Sequence, residues 1–209
     1  MHIKGMVSFA AFVAAAAPAT TYAAATVGSA ITPLNIRSGP GPQYAVIGVI
    51  NHHGRTIVES CVPGSLWCQV DYHGRQGWAY SKYLRMQVAG EPLVIAAQRA
   101  QVRVPALAYA ASAESVRSGG PAGKLTGALI VRSADATALE ITPPETVRTY
   151  VVSHPIEPAI LNGEVVIGAG VPESVSLTPV PGYSYDYAYI NREPVLVAPA
   201  TRRIVYIYR

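Results

Sequence analysis

Charged side chains are scarce in this chain. Lys, Arg, Asp and Glu together make up 13% of its 209 residues, against roughly 25% in ordinary soluble domains. The balance is a dilute +4, and no basic run exceeds the pair Arg202-Arg203. Proteins that bind nucleic acid cluster their Lys and Arg, so that class is set aside; a mild, dispersed excess suits an anionic surface such as a cell wall. Cysteine is almost absent, with only Cys61 and Cys68. Two cysteines outside the Cys-x-x-Cys spacing give neither a zinc site nor a redox motif. No apolar run reaches the ~20 residues of a membrane-spanning helix. Phosphate loops and nucleophile elbows are missing too. Glu157, Glu164 and Glu173 are scattered, so no general acid/base pair can be nominated. His52-His53 with Asp71 or His73 lack metal-ligand spacing. The expectation is a protein that is not an enzyme, with no cofactor and no metal.

What is present begins with an export signal. His2 and Lys4 precede an apolar run, Met6 to Ala17, of about a dozen residues, the length of a signal h-region. Pro18 breaks it, and Ala23-Ala24-Ala25 supplies small residues for cleavage between Ala25 and Thr26. Residues 1–25 are therefore expected to be a cleaved signal peptide, and the protein periplasmic or secreted, without a transmembrane segment after cleavage. An oxidising compartment favours pairing of the cysteines. Val62-Pro63-Gly64-Ser65-Leu66-Trp67 lies between them as a hairpin connector, which sets Cys61 opposite Cys68 at a separation a disulfide can span.

From Thr26 to about Arg85 the apolar segments are short and punctuated by turn residues. Strands are expected at Ala30–Arg37, Ala45–Ile50, Thr56–Cys61, Cys68–Tyr72 and Gln76–Tyr80. The segment opens with Leu34-Asn35-Ile36-Arg37-Ser38-Gly39-Pro40-Gly41-Pro42 and closes with Gly77-Trp78-Ala79-Tyr80-Ser81-Lys82-Tyr83-Leu84. These two signatures resemble a bacterial SH3 domain, a small β-barrel that binds ligands. The resemblance, with loops on a rigid barrel as the usual contact sites, nominates Arg37, Tyr44, Trp78, Tyr80, Lys82 and Tyr83 as ligand-binding residues. For Trp67 and Trp78 core packing is the competing reading.

Residues 86–141 read as a partly ordered Ala/Gly-rich connector, with brief strands at Val94–Ile95 and Val102–Val104. Thr142-Pro143-Pro144-Glu145 has the form of a capping box, predicting a helix to about Val152. A β-meander follows, with strands at Glu164–Ile167, Val175–Pro179, Tyr183–Ile190, Pro194–Val197 and Arg203–Tyr208. Tyr183, Tyr185, Tyr187 and Tyr189 are spaced by two and share one strand face, either packing opposite Tyr206 and Tyr208 or forming an exposed stacking surface. Ile141-Thr142-Pro143, Val166-Ile167-Gly168, Val171-Pro172, Tyr187-Ala188-Tyr189 and Val195 to Val205 are similar to domain of unknown function 1236. The likeness departs at Ala198, where that family has an acidic residue before the proline. The family occurs in exported proteins of Gram-negative bacteria and offers no catalytic residues.

The architecture expected is mainly β: an SH3-like barrel (26–85), the connector (86–141), and a small helix-and-meander domain (142–209). The function expected is an exported, non-catalytic envelope binding or adaptor protein whose partner is a cell-wall polymer such as peptidoglycan or an envelope protein. A structural or regulatory subunit docking on a periplasmic enzyme is the alternative.

Overall fold

In the computed structural model, residues 26–97, 104–107, 125–130 and 139–209 are described. The fold is mainly β. Eight strands form one curled antiparallel sheet: β1 (Thr26–Ala30), β2 (Leu34–Arg37), β3 (Val46–Ile50), β4 (Arg55–Cys61), β5 (Trp67–Tyr72), β6 (Arg75–Tyr80), β7 (Leu84–Val88) and β8 (Glu91–Val94), in the order β3-β2-β6-β5-β4-β1-β7-β8. A 3₁₀ turn at Ser81–Tyr83 joins β6 to β7. The strand expected over Ala30–Arg37 is two strands. Pro33 falls between them and has no N–H for a ladder, so β1 pairs with β4 and β7 while β2 turns away to β3 and β6.

The sheet continues past the expected barrel end. A two-residue turn, Ala89-Gly90 with φ of 51° and 90°, folds β8 back on β7. Farther on, β9 (Leu125–Ala128) and β10 (Ile160–Asn162) pair in parallel. Helix α1 (Glu145–Ser153) follows the Pro143-Pro144 pair, but the capping box does not form: Pro144 occupies the cap position, with no side-chain bond to the first turn. Residues 1–25, expected to be a signal peptide, and most of the expected strand Val102–Val104 lie outside the described residues.

The C-terminal sheet is antiparallel, in the order β11 (Thr178–Pro179), β12 (Asp186–Ile190), β13 (Glu193–Ala198), β14 (Arg203–Ile207). Three expected strands change here. Tyr183–Ile190 is a strand only from Asp186, because a turn at Pro181-Gly182 (φ of 73° at Gly182) sends the Tyr183 N–H to Val180 O, so Tyr183 and Tyr185 lie outside β12. Glu164–Ile167 is not a strand, because the Val165 N–H bonds to the Glu164 side chain and glycines at positive φ, Gly163 and Gly168, bend the chain on either side. Val175–Pro179 shrinks to β11. The Val175 N–H turns to Pro172 O, and its carbonyl accepts from Arg202, whose guanidinium also bonds the carbonyls of Val171 and Pro172.

Two apolar clusters hold these layers. One runs from the curled sheet (Leu34, Ile36, Val58, Trp78, Leu84) without a break into the C-terminal region (Leu161, Val165, Val195, Ile204). The other packs Val147 and Val151 of α1 against Tyr187, Leu196, Val205 and Tyr208. The alternating tyrosines therefore take the packing role. Tyr187 is buried, with Tyr183, Tyr185 and Tyr189 half-buried around it. The hydroxyls of Tyr187 and Tyr189 donate to the carbonyls of His154 and Val151 at the end of α1.

Candidate functional site

Strand β2 is buried on both faces. Leu34 and Ile36 point into the apolar core, and with a period of two Asn35 and Arg37 share the opposite face. Two carboxylates from the C-terminal region meet them there. The first is set by Asn191, which opens the β12–β13 hairpin. Asn191 and Arg192 have φ of 51° and 71°, the left-handed pair of a type I′ turn, which asparagine tolerates well. The Asn191 side chain accepts from the Leu161 N–H at 2.8 Å and donates to Gly163 O at 3.4 Å, fixing the segment that leads into Glu164. The same turn starts β13 at Glu193, the second carboxylate.

The geometry is dense. Arg37 Nε donates to Glu164 Oε2 at 2.6 Å, and Nη2 donates to Glu164 Oε1 at 2.5 Å and to Glu193 Oε2 at 3.0 Å. Asn35 Nδ2 donates to Glu164 Oε1 at 3.0 Å and Glu193 Oε2 at 2.8 Å. Arg209 Nε approaches Glu193 Oε1 at 3.8 Å from the chain end. Every ion pair among the described residues belongs to this cluster. The side chains of Arg37 and Glu164 are 0% exposed and that of Glu193 9%. Burial raises the Glu193 pKa most; Arg37 pulls it down, Glu164 pushes it up, and Arg209 and Asn35 lower it, leaving it at about 7.

The remaining guanidinium nitrogen serves the barrel. Arg37 Nη1 donates to the carbonyls of Pro42 at 3.3 Å and Tyr44 at 2.9 Å, holding the Gly39–Tyr44 loop. That loop forms one wall of a groove of about 330 Å³. The other wall is the Gly64–Leu66 turn; Trp67 and Tyr80 meet edge to face at its base, and Asn162 closes one end. The Cys61–Cys68 disulfide, between directly paired residues of β4 and β5, closes the second loop. Among the described residues, no charged side chain lines this groove. Gln43, Ser65 and Asn162 offer neutral donors and acceptors there.

Of the six residues nominated from sequence, five are buried. Arg37 is 0% exposed, Tyr44 and Tyr80 4%, Trp78 and Tyr83 7%. Arg37 is thus not an exposed cationic contact, because its five donors are directed at Glu164, Glu193, Pro42 and Tyr44. Tyr44 and Tyr80 lie at the groove's loop and base, while Trp78 and Tyr83 are core side chains. Burial, then the charges of Tyr80 and Glu164, raise the Tyr83 pKa, so this phenol stays neutral. Lys82 alone among the six is exposed. The histidines sit apart from this site: His52 and His53 stack at 3.8 Å, with His53 Nδ1 3.0 Å from Arg85 Nη2. The residues the sequence missed are Glu164, Glu193 and Asn162. Their local sign is a polar pair, Asn35 and Arg37, on one face of a strand whose other face is apolar.

No curated protein matches the chain. Residues 32–85 match the family model of the bacterial SH3 domain, and residues 150–209 match that of a domain of unknown function, DUF1236. Neither is a catalytic family. The chain carries a bacterial SH3 domain with a DUF1236 region C-terminal to it.

Proposed function

We propose that this is an exported, non-catalytic binding or adaptor protein of the cell envelope, with peptidoglycan or an envelope protein as its ligand. The observation that carries the reading is the groove between the Gly39–Tyr44 loop and the Gly64–Leu66 turn. It sits on a rigid barrel, both its loops are tied down, and its walls are neutral, polar and aromatic. Preformed loops limit the ordering cost of binding, and amide, hydroxyl and ring groups suit an uncharged glycan or peptide backbone. The disulfide fits an oxidising, extracellular location, in accord with export through residues 1–25. Lys82, exposed on the 3₁₀ turn two residues after Tyr80, supplies a cationic contact outside the groove lining.

The test is retention of the purified full chain on isolated sacculi. Ser65→Tyr, which fills the groove from its turn wall, is expected to abolish retention while costing only the ~1 kcal/mol of the Trp67 N–H bond that Ser65 Oγ accepts, and Lys82→Ala to reduce its salt sensitivity. Unchanged retention of Ser65→Tyr refutes the groove as the site.

The alternative, a structural subunit docking on an envelope enzyme, draws on one observation. Val27 and Ile57, cross-strand partners on β1 and β4, are 42% and 41% exposed. Co-purification of one stoichiometric protein partner, lost on Val27→Asp, favours that reading.

A further inference from the structure

The Arg37 guanidinium faces two regions at once. Nε and Nη2 hold the carboxylates of Glu164 and Glu193; Nη1 holds the carbonyls of Pro42 and Tyr44 on the groove loop. The C-terminal region also reaches the groove directly, through Asn162. The shape of a groove on the barrel thus depends on acids far away in sequence.

The charges in this buried site do not balance. One guanidinium meets two carboxylates, and Arg209, part-exposed, stands 3.8 Å from Glu193. The two acids are unequal partners. Glu164 receives Arg37 on both oxygens and also accepts from Asn35 Nδ2 and the Val165 N–H. Glu193 receives its hydrogen bonds on Oε2 only; its buried Oε1, like Asn35 Oδ1, has no hydrogen-bond partner among the described residues. A carboxylate so placed is the cheaper one to neutralise. Tyr80 and Tyr83 also face Glu164; burial, then charge (Glu164's for both, with Tyr80's acting on Tyr83), raises both phenol pKa values, so they do not share the titration.

We propose that the DUF1236 region sets the ligand groove of the SH3 domain through Arg37, and that a proton on Glu193 is the control. With Glu193 neutral, Arg37 balances Glu164 alone and keeps Nη1 on Pro42 and Tyr44. With Glu193 ionised, the extra charge competes for the guanidinium, and the Gly39–Tyr44 loop is released from its hold. Arg37 is then a positioning residue, and affinity at the groove falls as pH rises through the range in which Glu193 ionises. The affinity clause rests on the binding reading above; the loop clause does not.

The experiment is an NMR titration of the full chain from pH 5.5 to 8.5, following the Glu193 carboxyl carbon, the Gly39 and Gly41 amides and the Trp67 indole N–H. The expected result is that the groove signals move with the Glu193 midpoint, near 7. In Glu193→Gln they should stay at the low-pH wild-type position throughout. Loop signals that stay still while Glu193 titrates, or that move equally in Glu193→Gln, overturn the proposal. A second arm measures retention on isolated sacculi at pH 6 and pH 8. It is expected to drop by a factor of about five or more in the wild type and to be level in Glu193→Gln. Level retention in the wild type overturns the affinity clause. No retention at either pH, with the NMR coupling intact, refutes the binding reading and leaves the coupling supported.

Discussion

Replacing Arg37 by Met removes the single buried cation between two acids. The wild-type guanidinium satisfies both Glu164 oxygens, one Glu193 oxygen and two loop carbonyls. Deleting one partner of a buried ion pair costs ~3–5 kcal/mol, because the other charge stays buried without compensation. Glu193 adds little to this at neutral pH, since its pKa of about 7 lets it take up a proton; the penalty falls on Glu164. Unpaired carbonyls at Pro42 and Tyr44 add ~1 kcal/mol or more. A loss of ~4–5 kcal/mol is therefore expected, a large part of the ~5–15 kcal/mol total stability of a domain. Urea unfolding followed by tryptophan fluorescence measures it. The triple variant Arg37→Met, Glu164→Met, Glu193→Leu exchanges the charged side chains for apolar ones of similar size, at the cost of stranding Asn35 Nδ2, and such exchanges of charge are often neutral or stabilising. It should recover most of the loss. A cost below ~1 kcal/mol for Arg37→Met, or a triple variant as unstable as the single, refutes the account of a charge-matched cluster.

Glu193 predicts a pH dependence with a definite sign. Its folded pKa is raised to about 7 from 4.5, so its contribution is fully present below about pH 4.5 and lost as pH rises through 7, about 3 kcal/mol in all. Urea midpoints at pH 5 and pH 8.5 should show this slope in the wild type and lose it in Glu193→Gln; equal slopes refute it. Changing both Cys61 and Cys68 to Ala opens a loop of about eight residues and should cost ~2.5 kcal/mol, measured by urea unfolding; no change means the loop is held by other contacts. Tyr187→Phe, which loses the bond to His154 O, should cost ~1 kcal/mol and Tyr187→Ala ~3 kcal/mol or more, with unfolding free energy as the measurement; a near-native Tyr187→Ala would mean the tyrosine face is not core.

The parts of the fold legible in the sequence are those whose causes are local. β3 to β6 fall within a residue or so of their expected limits, because alternation and Gly/Pro/Asn turns specify a hairpin from its own residues. The type I′ turn at Asn191-Arg192 is of the same kind. The β7–β8 hairpin is harder to read for the opposite reason: its left-handed turn begins with Ala89, a residue that rarely takes that conformation, leaving Gly90 as its one turn residue. The proline pair marks where the helix starts, yet the capping box does not form, since it is only a permitted local bond and Pro144 takes the cap position.

The candidate site failed to show itself for a different reason. Arg37 and Glu164 are 127 residues apart, and acids in loops carry no sign of a distant partner. Arg37 is a surface contact only for a barrel that stands as a free unit with this face solvated, and here that face is covered. Strand β2 contradicts that on its own composition. Its four residues are all buried, yet Asn35 and Arg37 are among the side chains least often fully buried without partners. A barrel face carrying them must therefore be solvated or be covered by groups that bond them. Asn35 and Arg37 are covered by acids, and covering them with apolar groups instead would strand five donors. The polar face of β2 thus specifies what packs on it: the acids must arrive in one register, with Glu164 facing Nε and Nη2 and Glu193 beside it. A slip of β13 by one residue would turn Glu193 to the other side of its sheet and remove that acceptor from the Asn35 and Arg37 donors. Buried charge costs stability here, and what it gives in return is a single way for the two regions to meet.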